Sequence, residues 1–233
     1  MSDNHVKGVT MRLDGETILF SEMTPPASLE PAFNQWYDEE HIPLRMGAPG
    51  FRSAQRYRDG NTSNYLAVYE MTGRDALATP EYGQIKNRPS ETTKGMLTAV
   101  TGFTRYIGNR IAQAGAPAEE LMSSPVLYAV FFTVPQERLA DFDTWNEDDH
   151  LPLLLEDERW LGVRRFEIVD GAPQSFNRLA LHHLSDRSAL DSDARKRARA
   201  TPWRARLAAE SWFQGHYIVF DRLGDRQIGK SAA

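Results

Sequence analysis

The feature that most constrains this chain is a duplicated segment. Residues 33–46 read FNQWYDEEHIPLRM, and residues 142–155 read FDTWNEDDHLPLLL. A single offset of 109 positions relates the two, so that His41 corresponds to His150. Because repeats of this length describe whole structural units, the 233 residues are predicted to fold as two copies of one unit.

Each half shows the same order of hydrophobic patterns. Short runs rich in β-branched and aromatic residues predict strands, and aromatic residues at i, i+3 and i+4 from Phe33 predict a helix. Pro43 is expected just past the end of that helix. A second helical region, interrupted by proline, precedes the last strand, and we align its Thr79 with Thr201. The order β-α-β-β-α-β is that of a ferredoxin-like unit.

The predicted fold class is therefore α+β, with two tandem ferredoxin-like units. We place the first at residues 10–112 and the second at 124–224, joined by a linker at 113–123 that is rich in Ala, Gly and Pro. A four-stranded sheet with both helices on one face leaves its other face uncovered. The two units are thus expected to pack sheet to sheet, as an α/β-barrel pseudo-dimer within one chain.

Composition excludes several classes of function. The chain has no cysteine and no apolar run of the ~18 residues that would span a membrane, so a cytoplasmic protein is expected. A net charge of −5 argues against nucleic acid as a partner. The basic segment ARKRARATPWRAR, residues 194–206, is interpreted as a solvated helix face. Nucleotide-binding and hydrolase motifs are absent, which predicts that no cofactor is bound.

The segment FNQWYDEEHIPLRMGAPGFRSAQRY resembles the pattern Tyr-x-x-x-His-x-Pro-Leu, followed by Pro-Gly-Phe, of EthD-like members of the dimeric α/β-barrel superfamily. Tyr37 and His41 carry the match in the first half. The second half keeps His150 but has Asn146 in place of the tyrosine, and it lacks the Pro-Gly. The resemblance implies the barrel fold and a small, mostly apolar pocket between sheet and helices, without an organic cofactor.

Together these features predict a cofactor-independent enzyme that performs proton transfer, as a lyase, isomerase or cyclase, on a small aromatic or polyketide-like acid. Two alternatives stay open: a cofactor-free oxygenase, and a non-catalytic binding or accessory protein. A small molecule is the expected partner, and a homodimer is compatible with the pattern.

His41 is the leading candidate for a general base, because an imidazole titrates near neutral pH. The competing interpretation is that His41 only caps the end of a helix. Candidate catalytic residues are His41, Tyr37, His150 and His216; candidate substrate-binding residues are Trp36, Arg56, Tyr69, Arg105, Tyr106, His182 and Trp212. Carboxylates near the two repeated histidines would permit a metal, but a solvated acidic face is the preferred interpretation, and no metal site is predicted.

Overall fold

Eight antiparallel strands form one closed barrel in the computed structural model, which describes residues 13–230. The strands are β1 (Thr17–Thr24), β2 (Phe51–Asp59), β3 (Tyr65–Met71), β4 (Thr101–Gly115), β5 (Val126–Phe132), β6 (Trp160–Ala172), β7 (Arg178–Leu184) and β8 (His216–Ile228). Their order around the barrel is β1-β3-β2-β8-β5-β7-β6-β4. Each half thus contributes a four-stranded ferredoxin-like sheet, which confirms the predicted fold class.

The last strand of each half closes the barrel by crossing to the other half. β4 pairs with β6, where Gln113 lies opposite Arg164, and β8 pairs with β2, where Leu223 lies opposite Arg56. Both closing strands are longer than their apolar patterns predict, because their outer ends are polar and partly exposed. The segment expected as a linker, 113–123, contains the end of β4 and a short helix.

Two helical layers cover the outer faces of the barrel. The helices are α1 (Glu30–Trp36), α2 (Ile42–Met46), α3 (Pro80–Asn87), α4 (Glu91–Ala99), α5 (Ala118–Ser123), α6 (Leu139–Trp145), α7 (Leu151–Leu154), α8 (Asp193–Ala198) and α9 (Pro202–Ala208). Side-chain caps start α3 at Thr79, α4 at Ser90, α8 at Ser192 and α9 at Thr201. Thr79 therefore corresponds to Ser192, not to Thr201, and the sequence alignment of the two Thr-Pro pairs is wrong.

A π-turn interrupts the first helix of each half. It spans Tyr37–His41 in the first half and Asn146–His150 in the second, and the helix then continues through the following proline. The expectation that Pro43 ends the helix is thus wrong, because the wider turn accommodates the proline.

The turn also places each histidine five residues after a tryptophan. The His41 and Trp36 ring centroids lie 4.3 Å apart, and those of His150 and Trp145 lie 4.5 Å apart.

Three apolar cores hold the molecule together. One lies inside the barrel, where Phe20, Phe131, Phe166 and Phe220 have no solvent-accessible surface. The other two lie between the outer face of each half-sheet and its helices. The residues beneath the helices determine whether each half contains a solid core or a cavity.

A buried ion pair joins the two halves inside the barrel. Arg164 on β6 donates two hydrogen bonds to the carboxylate of Glu70 on β3, at 2.8 and 3.0 Å. The Arg164 Nε also lies 3.3 Å from His183, which hydrogen-bonds to Ser124. The backbone N–H of Gly15 donates a further bond to Glu70 at 2.9 Å. Every charge in this network has a partner, as a charge buried in an apolar interior requires.

Removing one partner of this pair should therefore destabilise the fold strongly. We expect Glu70→Gln to lower the free energy of unfolding by about 3–5 kcal/mol, because it leaves the Arg164 guanidinium buried without a counter-charge. Urea denaturation measures the loss. The exposed pair of Glu91 and Lys94 is the control, where Glu91→Gln should cost less than about 0.5 kcal/mol. Equal losses in the two variants would contradict the role given to the buried pair.

Candidate functional site

A cavity lies between the half-sheet and the helices of the second half. Its enclosed volume is about 60 Å³, which is room for about four water molecules at ~15 Å³ each. The apolar part of its wall is aromatic, and the polar part consists of two histidines, an asparagine and five arginines. The lining side chains are Tyr128, Val130, Phe132, Phe142, Trp145, Asn146, His150, Leu154, Trp160, Arg165, Arg178, Leu179, Ala180, His182, Arg195, Arg199, Arg204, Phe213 and Tyr217.

Tyrosines fill the corresponding space in the first half. Tyr37 and Tyr69 are 2% and 1% exposed and belong to the apolar core beneath α1. The positions equivalent to these two tyrosines in the second half are occupied by Asn146 and His182, which are smaller and polar. The loss of two phenol rings therefore leaves a polar-lined space on the same backbone framework.

His150 presents a hydrogen-bond acceptor to this cavity. Its Nδ1 lies 3.3 Å from the carbonyl oxygen of Ala198, and because a carbonyl only accepts, Nδ1 must carry the proton. Burial lowers the pKa of His150 to about 4, so the ring is neutral at pH 7. The remaining nitrogen, Nε2, then has a free lone pair. This is the protonation state that a general base requires.

His182 has the opposite polarity. The indole Nε1 of Trp160 donates to Nδ1 of His182 at 3.2 Å, and an indole nitrogen only donates. Burial, followed by the positive charges nearby, holds the pKa of His182 well below its usual range. The neutral ring must therefore carry its proton on Nε2. The cavity thus contains one imidazole that accepts a hydrogen bond and one that donates.

Trp145 adds an unused donor. In the first half, the indole Nε1 of Trp36 donates to the hydroxyl of Thr93 at 2.9 Å. Arg204 occupies the position equivalent to Thr93, since each lies three residues after a helix cap. Nε1 of Trp145 is consequently buried and without a partner in the described part of the chain. A buried donor of this kind costs free energy unless water or a ligand accepts from it.

The five arginines of the wall fall into two groups. Arg165 and Arg178 are paired with the carboxylates of Asp143 and Glu147. Arg195, Arg199 and Arg204 form no salt bridge with any residue in 13–230. They lie on α8, on the turn that follows it, and on α9, respectively. Burial, and then repulsion from Arg199 and Arg195, lowers the pKa of Arg204. The second group therefore gives this side of the cavity an uncompensated positive charge.

Of the residues predicted from the sequence, His150 and His182 line this cavity. The second-half matches of Trp36, Tyr37 and Arg56 line it too, and these are Trp145, Asn146 and Arg165. His41, the leading candidate, borders a different space: an open groove of about 570 Å³ beside α2, α3 and α4. Burial is the main cause that holds the pKa of His41 well below its usual range. No described residue hydrogen-bonds to its ring, so its tautomer is not fixed by the fold.

Several predicted site residues are buried in the first half. Tyr37, predicted as catalytic, and Trp36 and Tyr69, predicted to bind substrate, lie in the apolar core beneath α1. Arg56 donates to Asp38 at 3.0 Å and lies over the ring of Tyr37, 4.7 Å from its centroid. The Asp38 carboxylate is therefore the partner of Arg56 in an ion pair and not part of a metal site.

The remaining predicted residues lie away from the cavity. Tyr106 faces the interior of the barrel, and its hydroxyl donates to Gln174 at 2.7 Å. Arg105 pairs with Asp170 on the outer surface of the strands. His216 packs against Phe176 near one end of the barrel, with ring centroids 5.8 Å apart. These three therefore do not belong to the site that the second half forms.

Trp212 packs beside the cavity wall without lining it, whereas the next residue, Phe213, does line it. The residues that sequence reasoning missed are mainly Arg195, Arg199 and Arg204. Their signal was the basic segment 194–206, which was interpreted as a solvated face. That interpretation is wrong for half of the basic residues in the segment, because these three arginines line the cavity.

Within residues 13–230, no group of three or more histidine, aspartate or glutamate side chains is arranged to hold a metal ion. None of the described helices is both long enough and apolar enough to cross a membrane.

The buried histidines predict acid sensitivity. The pKa values of His41, His150, His182 and His183 are all lowered on folding, so the unfolded state binds protons first as the pH falls below about 6.5. Their stabilising contribution is present above that pH and is lost toward pH 4. Glu22, whose pKa is raised by burial, opposes this trend.

We expect His150→Gln to reduce the loss of stability between pH 7 and pH 4.5 by about 2 kcal/mol, measured by urea denaturation. Gln136→Asn, at an exposed residue without a titratable side chain, is the control and should leave the pH dependence unchanged. An identical pH dependence in wild type and His150→Gln would contradict the burial of a neutral imidazole at this position.

The fold recurs in solved structures of low sequence identity. An anthrone oxidase-like protein matches with a TM-score of 0.65 and 11% identity, over 93% of this chain and 94% of that chain. A protein assigned as a monooxygenase from Fusobacterium nucleatum matches with a TM-score of 0.59 and 12% identity, over 91% and 95%. A chlorite dismutase-type protein matches with a TM-score of 0.54 and 13% identity, over 89% and 95%.

No protein-family model and no curated protein sequence matches the chain. At these identities the comparisons establish the fold alone. The chain has the dimeric α/β-barrel architecture, with both halves of the barrel supplied by one polypeptide.

Proposed function

We propose that the cavity of the second half is the active site of a cofactor-independent enzyme that performs proton transfer on a small aromatic acid, as a lyase, isomerase or cyclase. One observation carries the proposal: two neutral imidazoles with opposite hydrogen-bonding roles line one aromatic cavity that also contains unpaired guanidinium groups. A pair of groups with one acceptor and one donor is what proton abstraction next to a carbonyl requires.

His150 is assigned as the general base. The contact between its Nδ1 and Ala198 fixes the tautomer and leaves Nε2 to take a proton. A pKa of about 4 makes the empty site a weak base. A bound anion favours the protonated ring and raises this pKa, which brings the base closer to the working pH when substrate is present.

We assign to His182 and the arginines the role of stabilising the negative charge that develops on a substrate oxygen. The Nε2–H of His182 is a fixed donor, since Trp160 determines its tautomer. Donors held in place before reaction stabilise an enolate or phenolate without reorganisation. The unpartnered Nε1–H of Trp145 is a third donor at this wall.

This assignment moves the leading role from His41 to its repeat. The EthD-like pattern favours His41, because the second half lacks its tyrosine. In the structure, the absence of that tyrosine is what leaves space at Asn146, and this supports the second half as the site. The EthD-like relationship itself remains a proposal that rests on the first-half motif.

A ring-sized ligand requires the cavity to widen. An apolar cavity of about 150 Å³ accommodates benzene, which exceeds the enclosed space described above. Arg199 is exposed and Arg204 is partly exposed at the rim, so movement of these side chains would open the cavity without disturbing the barrel.

Hydrogen–deuterium exchange tests the chemistry. Phenylpyruvate is a small aromatic acid with an acidic C–H, and its exchange in D₂O is followed by proton NMR. We expect wild type to accelerate exchange and His150→Gln to lower the enzymatic rate by about 10²- to 10⁴-fold. His41→Gln is the matched control and should change it less than about threefold. If the two variants behave alike, His150 is not the base.

Further measurements on the same proteins separate the alternatives. Oxygen consumption dependent on an aromatic acid would indicate the cofactor-free oxygenase. Tight binding that survives His150→Gln, without exchange or oxygen uptake, would indicate a binding or accessory protein. A flavin or heme absorption band in the purified protein would contradict cofactor independence. Sedimentation would test the proposed homodimer.

A tyrosine side chain placed in the cavity should abolish ligand binding. Asn146→Tyr restores the residue that the first half carries at this position, so the backbone is compatible with it, and the phenol ring occupies the ligand's space. We expect calorimetry to show loss of benzoate binding with a folded protein. Asp148→Tyr, on the exposed side of the same π-turn, is the control and should bind as wild type does. Unchanged benzoate binding in Asn146→Tyr would place the site elsewhere.

A further inference from the structure

Three arginines of the cavity wall lack the counter-charges that the neighbouring basic residues have. Outward-facing Lys196, Arg197 and Arg206 each form a salt bridge, with Asp193, Glu156 and Asp141 respectively. Arg195, Arg199 and Arg204 line the cavity and form none within residues 13–230. For Arg195 and Arg204, which are partly buried, this reverses the usual expectation, because exposed charges need no partner while partly buried ones do. Arg199 is exposed at the rim.

The carboxylate beside His150 does not neutralise this group. Asp149 lies within the π-turn and influences the pKa of His150, but its Oδ2 accepts from the hydroxyl of Thr201 at 2.6 Å. It forms no salt bridge with the three arginines. Asp143 and Glu147 are already engaged with Arg165 and Arg178. An excess of positive charge therefore remains on the wall formed by α8 and α9.

The first half shows that the fold does not need these charges. Arg195 and Arg204 each lie three residues after a helix cap, and the equivalent first-half positions hold Tyr82 and Thr93. Arg199 and Arg195 lie close enough to Arg204 for their repulsion to lower its pKa, after burial as the largest cause. This repulsion opposes holding the three arginines together unless an anion is bound.

Aromatic rings lie directly beside these arginines. Tyr128 and Tyr217 stack with ring planes 16° apart, and Phe213 lies under Arg204, 5.7 Å from the ring centroid to the guanidinium carbon. The cavity therefore offers a flat, apolar surface next to concentrated positive charge. A ligand that matches both has an aromatic ring and carries its negative charges together on one part of that ring.

We propose that the ligand of this site carries a doubly negative head group on an aromatic ring, as an aryl phosphate or a vicinal aromatic dicarboxylate does, and that Arg195, Arg199 and Arg204 bind that head group. The inference rests on the proposed function, since it concerns the same cavity, and it specifies the substrate as a dianion. Guanidinium groups bind both phosphate and carboxylate with charge-assisted hydrogen bonds.

Two ligands of the same shape test the charge. Phenyl phosphate is a dianion at pH 7.5, since the second pKa of a phosphate ester is ≈ 6, and phenyl sulfate is a monoanion. By calorimetry we expect phenyl phosphate to bind at least about tenfold more tightly, an advantage that corresponds to one additional charge-assisted hydrogen bond. The second comparison uses two dicarboxylates, phthalate with adjacent carboxylates and terephthalate with carboxylates on opposite sides of the ring. Tighter binding of phthalate than of phenyl phosphate would identify a vicinal dicarboxylate as the head group.

The variants separate the arginines from general charge effects. Arg204→Thr introduces the first-half residue and should remove most of the preference for phosphate over sulfate. Arg206→Gln removes an outward, paired arginine of the same helix and should keep the preference within about twofold. Thermal denaturation checks folding, and Arg204→Thr should not lower the melting temperature, because it relieves repulsion.

The outcomes are distinct. Equal affinity for phenyl phosphate and phenyl sulfate, or equal effects of Arg204→Thr and Arg206→Gln, would overturn the dianion proposal while leaving the binding site in place. Failure of benzoate, phthalate and both phenyl esters to bind wild type would overturn the dianion proposal and the proposed function together.

Discussion

Closure of the barrel is the constraint on which the rest of the structure depends. Each half is a sheet with helices on one face only, so its other face needs a cover, and the partner half provides it. Strands β4 and β8 make this possible by running past their own unit to pair with β6 and β2. With the inner faces joined, only the spaces beneath the helices remain free to vary.

The spaces beneath the helices differ between the two halves, whereas the contacts around them are the same. The ion pair of Arg56 with Asp38 recurs as that of Arg165 with Glu147, and the contact of Trp36 with His41 recurs in the second half. In a symmetric homodimer each substitution would alter both copies at once. Joining the copies in one chain allows one half to keep a solid aromatic core, which contributes stability, while the other half keeps a cavity.

Much of the fold could be predicted because the repeat and the strand patterns report on burial, which sequence periodicity records well. The length of β4 and β8 could not, since their outer ends are polar and pair across the two halves. The site was harder still. Asn146 was interpreted as a lost functional residue, but whether a small side chain leaves a cavity depends on what surrounds it. The arginines were visible as a basic segment, yet the direction in which each points depends on where α8 and α9 begin. Their caps are Ser192 and Thr201, and the sequence alignment paired Thr201 with the wrong residue of the first half.

The π-turn has a consequence for how this chain tolerates insertions and deletions. A residue more or fewer in a helix rotates everything beyond it by about 100°, since one turn takes 3.6 residues. A π-turn closes through i→i+5 and so holds one residue more than an α-turn. Deleting one residue from Asn146–His150 would therefore convert the wide turn to an α-turn and leave the rotation of α7 nearly the same, whereas a deletion within α6 or α7 would not be compensated. The two π-turns are thus the places where these helices can lose a residue and still present the same face to the sheet.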